Sequence, residues 1–111
     1  MHEMKLQDRY FNYILNGTKK IELRLNDEKR SLLKLNDVIK FKNEVKNETF
    51  EVKVVGLLRY NSFNDLFDDF DIEVLADKEM TKKELLDVLE QFYTKEKQEK
   101  YGVLGIKIQK F

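Results

Sequence analysis

The sequence predicts an α+β domain, with about five short strands in a mixed or antiparallel sheet or small barrel and three or four helices packed around it. Two patterns predict it. Runs of alternating apolar and polar residues recur along the chain, and between them lie segments with apolar residues at helical spacing behind capping residues. No proline, repeat or low-complexity tract divides the 111 residues, so residues 1–111 read as a single domain. A chain of this length buries roughly 60–70% of its unfolded surface and needs neither a metal nor a disulfide to hold a core.

The first strand is predicted at His2–Leu6. Asp8 is placed to cap a helix whose apolar positions are Tyr10, Phe11, Ile14 and Leu15. Gly17 stands where that helix must end in a residue of positive φ. Residues 19–25 form the second strand. From Lys20 onward, alternation sets Lys20, Glu22 and Arg24 on one side and Ile21, Leu23 and Leu25 on the other. Residues 26–34 read as a turn with a short helical piece. Asn36 and Asp37 signal a turn opening a strand at 38–42, and residues 43–48 a hairpin loop. Residues 49–59 make the longest strand. Ser62-Phe63-Asn64-Asp65 starts a short helix carrying Phe63, Leu66, Phe67 and Phe70. Thr81-Lys82-Lys83-Glu84 is a cleaner capping box, opening a helix with Leu85, Leu86, Leu89, Phe92 and Tyr93 on one face. Residues 94–100 add one further helical turn, and Val103–Lys110 closes the chain as a strand.

Lysine plus arginine and aspartate plus glutamate each number 21, so the formal net charge is zero. That argues against holding a long nucleic acid by bulk electrostatics, since such binding scales with the phosphates neutralised. The charges are unevenly spread. Residues 63–77 carry Asp65, Asp68, Asp69, Asp71, Glu73 and Asp77 without a cation, whereas residues 19–46 are rich in lysine and arginine. Such a dipolar chain can offer a positive groove with a negative flank. The absence of cysteine excludes disulfides, thiolate nucleophiles and Cys-based zinc sites. No apolar run is long enough to span a bilayer, and the first residues lack a signal-type apolar region. The expectation is a soluble, cytoplasmic protein with no membrane partner.

His2 is the sole histidine, so one chain can build neither a His-based metal site nor a Ser-His triad. The aspartates at 65–71 lack the spacing and turn glycine of a calcium loop and read as helix N-terminal charge. No metal and no cofactor is predicted. Tyr60 ends a strand before a helix cap, and Tyr101 precedes Gly102 at a strand start. Junctions of this kind line barrel mouths, where a ring either stacks on a base or packs with its hydroxyl wet. Lys19 near Glu22 has the makings of a base with a tuned pKa, and the Arg24 fork suits a phosphate or carboxylate. The same pattern also fits an exposed strand with ion pairs worth ~0.2–1 kcal/mol each.

Four segments in order carry a resemblance. Gly17-Thr18-Lys19-Lys20-Ile21-Glu22-Leu23-Arg24 is similar to the Gly-x-Lys-x-x-Glu-x-Arg signature of ASCH domains, which belong to the PUA-like superfamily. Leu35-Asn36-Asp37-Val38-Ile39-Lys40-Phe41 resembles the family's x-Gly-Asp-x-Ile-x-Phe strand, with Asn36 at the usual glycine. Residues 54–67 resemble its long strand, Tyr-x-Ser-Phe and helix. Tyr101-Gly102-Val103-Leu104-Gly105-Ile106 resembles its closing strand.

The resemblance implies a PUA-like small β-barrel with helices closing its ends and a cleft beside the Lys-Glu-Arg strand. The family is proposed to bind RNA. Some small bacterial members are amidohydrolases that deacetylate acetylcytidine, and a ribonuclease activity is attributed to others. In the amidohydrolase branch the signature lysine is catalytic, with a threonine three residues on and a glutamate from a later segment. Lys19 matches that lysine, Glu22 stands at the threonine, and Glu79 is the residue nearest the later glutamate.

The leading reading is thus an ASCH domain that binds RNA or a nucleoside-like ligand in a polar cleft. Arg24, Tyr60, Ser62 and Tyr101 are the expected ligand-binding residues, and Lys19 and Glu22 line the floor. The alternative is a small hydrolase, acting on acetylated cytidine or a related modified nucleoside, or on RNA. Lys19 would then activate a water and Glu22 would shuttle the proton. A third reading is a protein-interaction module. It expects an exposed apolar patch at Phe67 and Phe70 beside the acidic 63–77 segment.

Overall fold

The strands β1 (His2–Leu6), β2 (Ile21–Leu25), β3 (Val38–Asn43), β4 (Thr49–Tyr60) and β5 (Val103–Lys110) pair in the order β1-β3-β4-β5-β2. Around them lie α1 (Asp8–Leu15), α2 (Phe63–Asp69), α3 (Ile72–Leu75), α4 (Lys82–Phe92) and α5 (Lys95–Tyr101). These elements are taken from a computed structural model that describes residues 2–111. The sheet is mixed: β1 runs parallel to β3, and the other three pairings are antiparallel. It curls into a half-barrel, the PUA-like small-barrel architecture. A register shift between Val54 and Gly56 bends the long β4, as an extra residue in one strand does.

Two apolar clusters fill the curl. Met4, Phe11, Ile39, Phe41 and Val52 pack under α1, and Ile21, Leu23, Phe63, Leu66, Leu75 and Leu85 pack under α2, α3 and α4. Alternation in β1 and β3 puts Met4, Leu6, Ile39 and Phe41 inward, which leaves Glu3, Lys5, Lys40 and Lys42 facing out. The order leaves β1 and β2 as the two edges, and the open seam of the half-barrel lies between them.

The helix ends follow the sequence logic, with one exception. Ser62 Oγ accepts from the Asp65 amide, Thr94 caps α5, and Thr81 with Glu84 forms a full capping box. Gly17 has φ +87°, the left-handed conformation that costs an L side chain roughly 1–2 kcal/mol. Asp8, expected as a cap, is instead the first helical residue behind Gln7. It cannot cap because its carboxylate accepts from the buried Asn43 side chain at 2.7 Å.

Three further corrections have tertiary causes. Tyr13 is buried in α1 while Leu15 is exposed, because the helix rolls its inner face toward α3 and the 77–80 turn. The second strand begins at Ile21 and both of its faces are covered. Phe67 is buried and Phe70 packs against the core, so the apolar patch expected of an interaction module is absent there. The single turn α3, which the sequence did not predict, brings the helices to five.

Candidate functional site

The Gly17 turn drops Lys19 into the space between α1, β2 and α3. Its Nζ donates to the carbonyls of Ile21 at 2.6 Å and Leu75 at 2.5 Å. It lies 3.7 Å from Glu22 Oε1 and 5.8 Å from the Tyr10 ring centre. Lys19 is 3% exposed and Glu22 5%, whereas Lys20, one residue on, is exposed. Burial pushes the Lys19 ammonium down to about 8; Glu22 pulls it back up and Arg24 pushes it further down.

Arg24 completes the charged row. Its Nε and Nη2 both reach Glu22 Oε2, at 2.9 and 2.8 Å, and Nη2 also donates to the Lys5 carbonyl at 2.8 Å. Burial lowers the guanidinium pKa, but Glu22 and Tyr93 more than offset it, so the group is held above its ordinary value. The charged side of β2 is therefore no solvated outer face. α4 lies over it, and Leu85, Val88, Leu89, Phe92 and Tyr93 wall a cavity of about 130 Å³ whose other side is Tyr10, Lys19, Glu22 and Arg24. Lys5, Gln7 and Glu44 also line it, on the side of the seam.

The structure brings Lys19, Glu22 and Arg24 together and places the other expected residues elsewhere. Tyr60 and Tyr101 line a second cavity with Asn26 and Arg59, and the Tyr60 hydroxyl donates to Asp69 at 2.5 Å. Ser62 is occupied as the α2 cap. The aromatic rings of the Lys-Glu-Arg cavity are Tyr10, Phe92 and Tyr93 instead. Sequence reasoning assigned these three to helix faces, and the cavity they line forms only where α4, carrying Phe92 and its cap residue Tyr93, faces Tyr10 of α1 across β2. Glu79 also lies outside it. Tyr13 Oη donates to Glu79 Oε1, and Arg9 Nε donates to Tyr13 Oη at 2.6 Å. His2 pairs with Asp37 at 3.1 Å. Among the described residues no cluster of three or more His, Asp or Glu could hold a metal, and no helix is long and apolar enough to cross a membrane.

A five-stranded half-barrel with a charged strand under a helix defines the chain as a PUA-like domain. More particularly, the chain belongs to the ASCH domain family, whose pattern it matches over residues 4–111. It is similar to the crystal structure of hypothetical protein PH0355, with 39% identity and a TM-score of 0.87 over 98% of this chain and 97% of that one. It is also similar to the solution structure of protein PF0455 from Pyrococcus furiosus, at 35% identity and TM-score 0.79 over 99% and 96%. No curated protein matches the sequence.

Proposed function

We propose that the cavity over β2 receives the base of a nucleoside-like ligand, free or within RNA. One observation carries this reading: a wall of Leu85, Val88, Leu89 and Phe92 faces a floor of Glu22 and Arg24 across a space of about 130 Å³. A cavity of roughly 150 Å³ holds one benzene-sized ring, so the space suits a pyrimidine better than a purine. Apolar walls with few polar groups are what a flat, polar-edged ring requires. Glu22 uses Oε2 for Arg24 and keeps further lone pairs to accept from a base amino group. Tyr10 and Tyr93 supply the stacking surface expected earlier of Tyr60 and Tyr101.

The test is thermal unfolding with a panel of pyrimidine and purine nucleosides. A pyrimidine nucleoside at 100 times its Kd adds about 2.7 kcal/mol. Tyr93→Ala should remove that stabilisation. Unchanged melting with every nucleoside would overturn the reading.

The state of Lys19 supports a second reading, hydrolysis of an acylated base. A lysine titrating at about 8 beside a carboxylate is a credible proton acceptor near neutral pH. Lys19 would take a proton from water as the hydroxyl adds to the acyl carbon. Glu22 would relay a proton to the departing amine as the C–N bond breaks. Release of acetate from an N-acetylated cytidine tests it directly. No release by the wild type, or equal release by Lys19→Met, would exclude it.

A further inference from the structure

Two sets of charge on this chain lack partners within it. A groove of about 650 Å³ runs over the outer face of β1 and β3, lined by Lys5, Arg24, Lys29, Arg30, Lys40 and Lys42, with Glu3 as its one carboxylate. α2 and α3 pack instead on β2, β4 and α4. There residues 63–77 present Asp65, Asp68, Asp69, Asp71 and Glu73 exposed and Asp77 half-buried, with no lysine or arginine among them. Among the described residues none of these carboxylates forms an ion pair within 4.0 Å, and neither do Lys5, Lys29, Lys40 and Lys42.

Both sets are placed at a cost to the fold. Parallel pairing sets Lys5 directly beside Lys42, and like charges in register repel. Lys42 meets only the uncharged Thr49 on its other side. Asp68 and Asp69 stand in the last turn of α2, the negative end of the helix dipole, where a cation is favoured. In α2 the reading of these aspartates as helix N-terminal charge therefore holds for Asp65 alone. A facing surface of opposite sign would offset each cost.

We infer that copies of this chain associate head to tail, the acidic 63–77 face of one seated against the lysine groove of the next. A partner of one sign would relieve only one of the two sets, whereas a second copy relieves both. The chain has no net charge, so copies add without accumulating repulsion. The two surfaces are different patches, which makes the contact heterologous and repeating. Phe67 is buried and Phe70 packs inward, so the contact is made by exposed charges, and it is weak, reversible and screened by salt. It does not rest on the base-binding reading, because Lys29, Lys40 and Lys42 lie outside the lining of the cavity over β2.

Sedimentation equilibrium of the whole chain tests this, at protein concentrations up to roughly 1 mM, a range that populates weak contacts. At about 10 mM salt, where the Debye length is about 30 Å, the weight-average mass should reach about twice the monomer's or more, and at about 1 M it should return to the monomer's. Lys29→Glu/Lys42→Glu reverses the groove, and Asp68→Lys/Glu73→Lys reverses the acidic face. Each double variant should stay monomeric at low salt. Folding is not at risk, since Lys42→Glu sets a carboxylate beside Lys5 and Asp68→Lys sets a cation at a helix C-terminus. The variant carrying all four changes keeps zero net charge with both faces swapped in sign, and it should associate again. A wild type that is monomeric at every salt, a mass unmoved by salt, or a double variant that still associates overturns the proposal. A folded four-site variant that stays monomeric overturns the pairing of these two faces. A monomeric wild type that binds polyglutamate, with binding lost in Lys29→Glu/Lys42→Glu, overturns self-association and assigns the groove to a separate acidic protein.

Discussion

Arg24 on β2 donates to the carbonyl of Lys5 on β1, at 2.8 Å, across the one seam the strands do not close. Both strands are sheet edges, and edge strands carry unpaired carbonyls. Here a side chain satisfies one of them, and the same guanidinium holds Glu22 with two nitrogens. The contact thus ties the two edges together and fixes the charged floor of the cavity.

Arg24→Ala should therefore damage stability and binding together. It removes the seam contact and leaves Glu22 buried with Lys19 as its remaining counter-charge. A loss of about 2–3 kcal/mol is expected, with nucleoside binding abolished. Arg24→Lys should not restore binding, since an ammonium cannot reproduce the fork. Chemical denaturation and calorimetric titration of both variants check this. A loss below about 1 kcal/mol with intact binding would return the charged face to a merely solvated one.

Lys19 and Lys20 should behave as opposites. Lys19→Ala strands the carbonyls of Ile21 and Leu75 and removes a partner from Glu22, so a loss of about 2 kcal/mol or more is expected. Lys20 is exposed, and Lys20→Ala should stay within about 0.5 kcal/mol and leave ligand binding unchanged. Equal effects in the two variants would contradict the assignment of Lys19 to the site.

The same lysine gives a pH signature. Its folded pKa of about 8 lies below the ordinary 10.5, so between those values the unfolded chain binds more protons than the folded one. Stability must then rise with pH across this window, by at most about 3 kcal/mol from this group. The rise should be visible from pH 8 to 10, before tyrosine ionisation intervenes, and missing in Lys19→Met. If Lys19 is the proton acceptor of a hydrolysis, turnover should climb through pH 8 as well.

Gly17 tests the turn that delivers Lys19. A Cβ there meets nothing closer than the Lys20 Nζ at 4.0 Å, so any cost of substitution is conformational rather than steric. Gly17→Val should cost ~1 kcal/mol or more through the forced positive φ. A change near zero in urea unfolding would show that the chain finds another way out of α1.

Local chemistry settled a good part of this protein without its coordinates. The first and last strands, the left-handed Gly17, the Ser62 and Thr81 caps and the Lys-Glu-Arg row depend on neighbours within a few residues, and a periodicity or a cap is complete in such a span. What Lys19, Glu22 and Arg24 face depends on α4, sixty residues later, and on a single turn, α3, too short to leave a periodic signal. Burial between α1, β2 and α3 pushes the Lys19 ammonium down to about 8, and the seam makes Arg24 reach Lys5. Tyr60 and Tyr101 stand at strand junctions as the sequence has it, yet they line a different cavity, because a junction says nothing about which other surface will be brought against it. The strand fixes the order of charges, whereas only long-range packing fixes whether water or protein surrounds them, and that decides their chemistry.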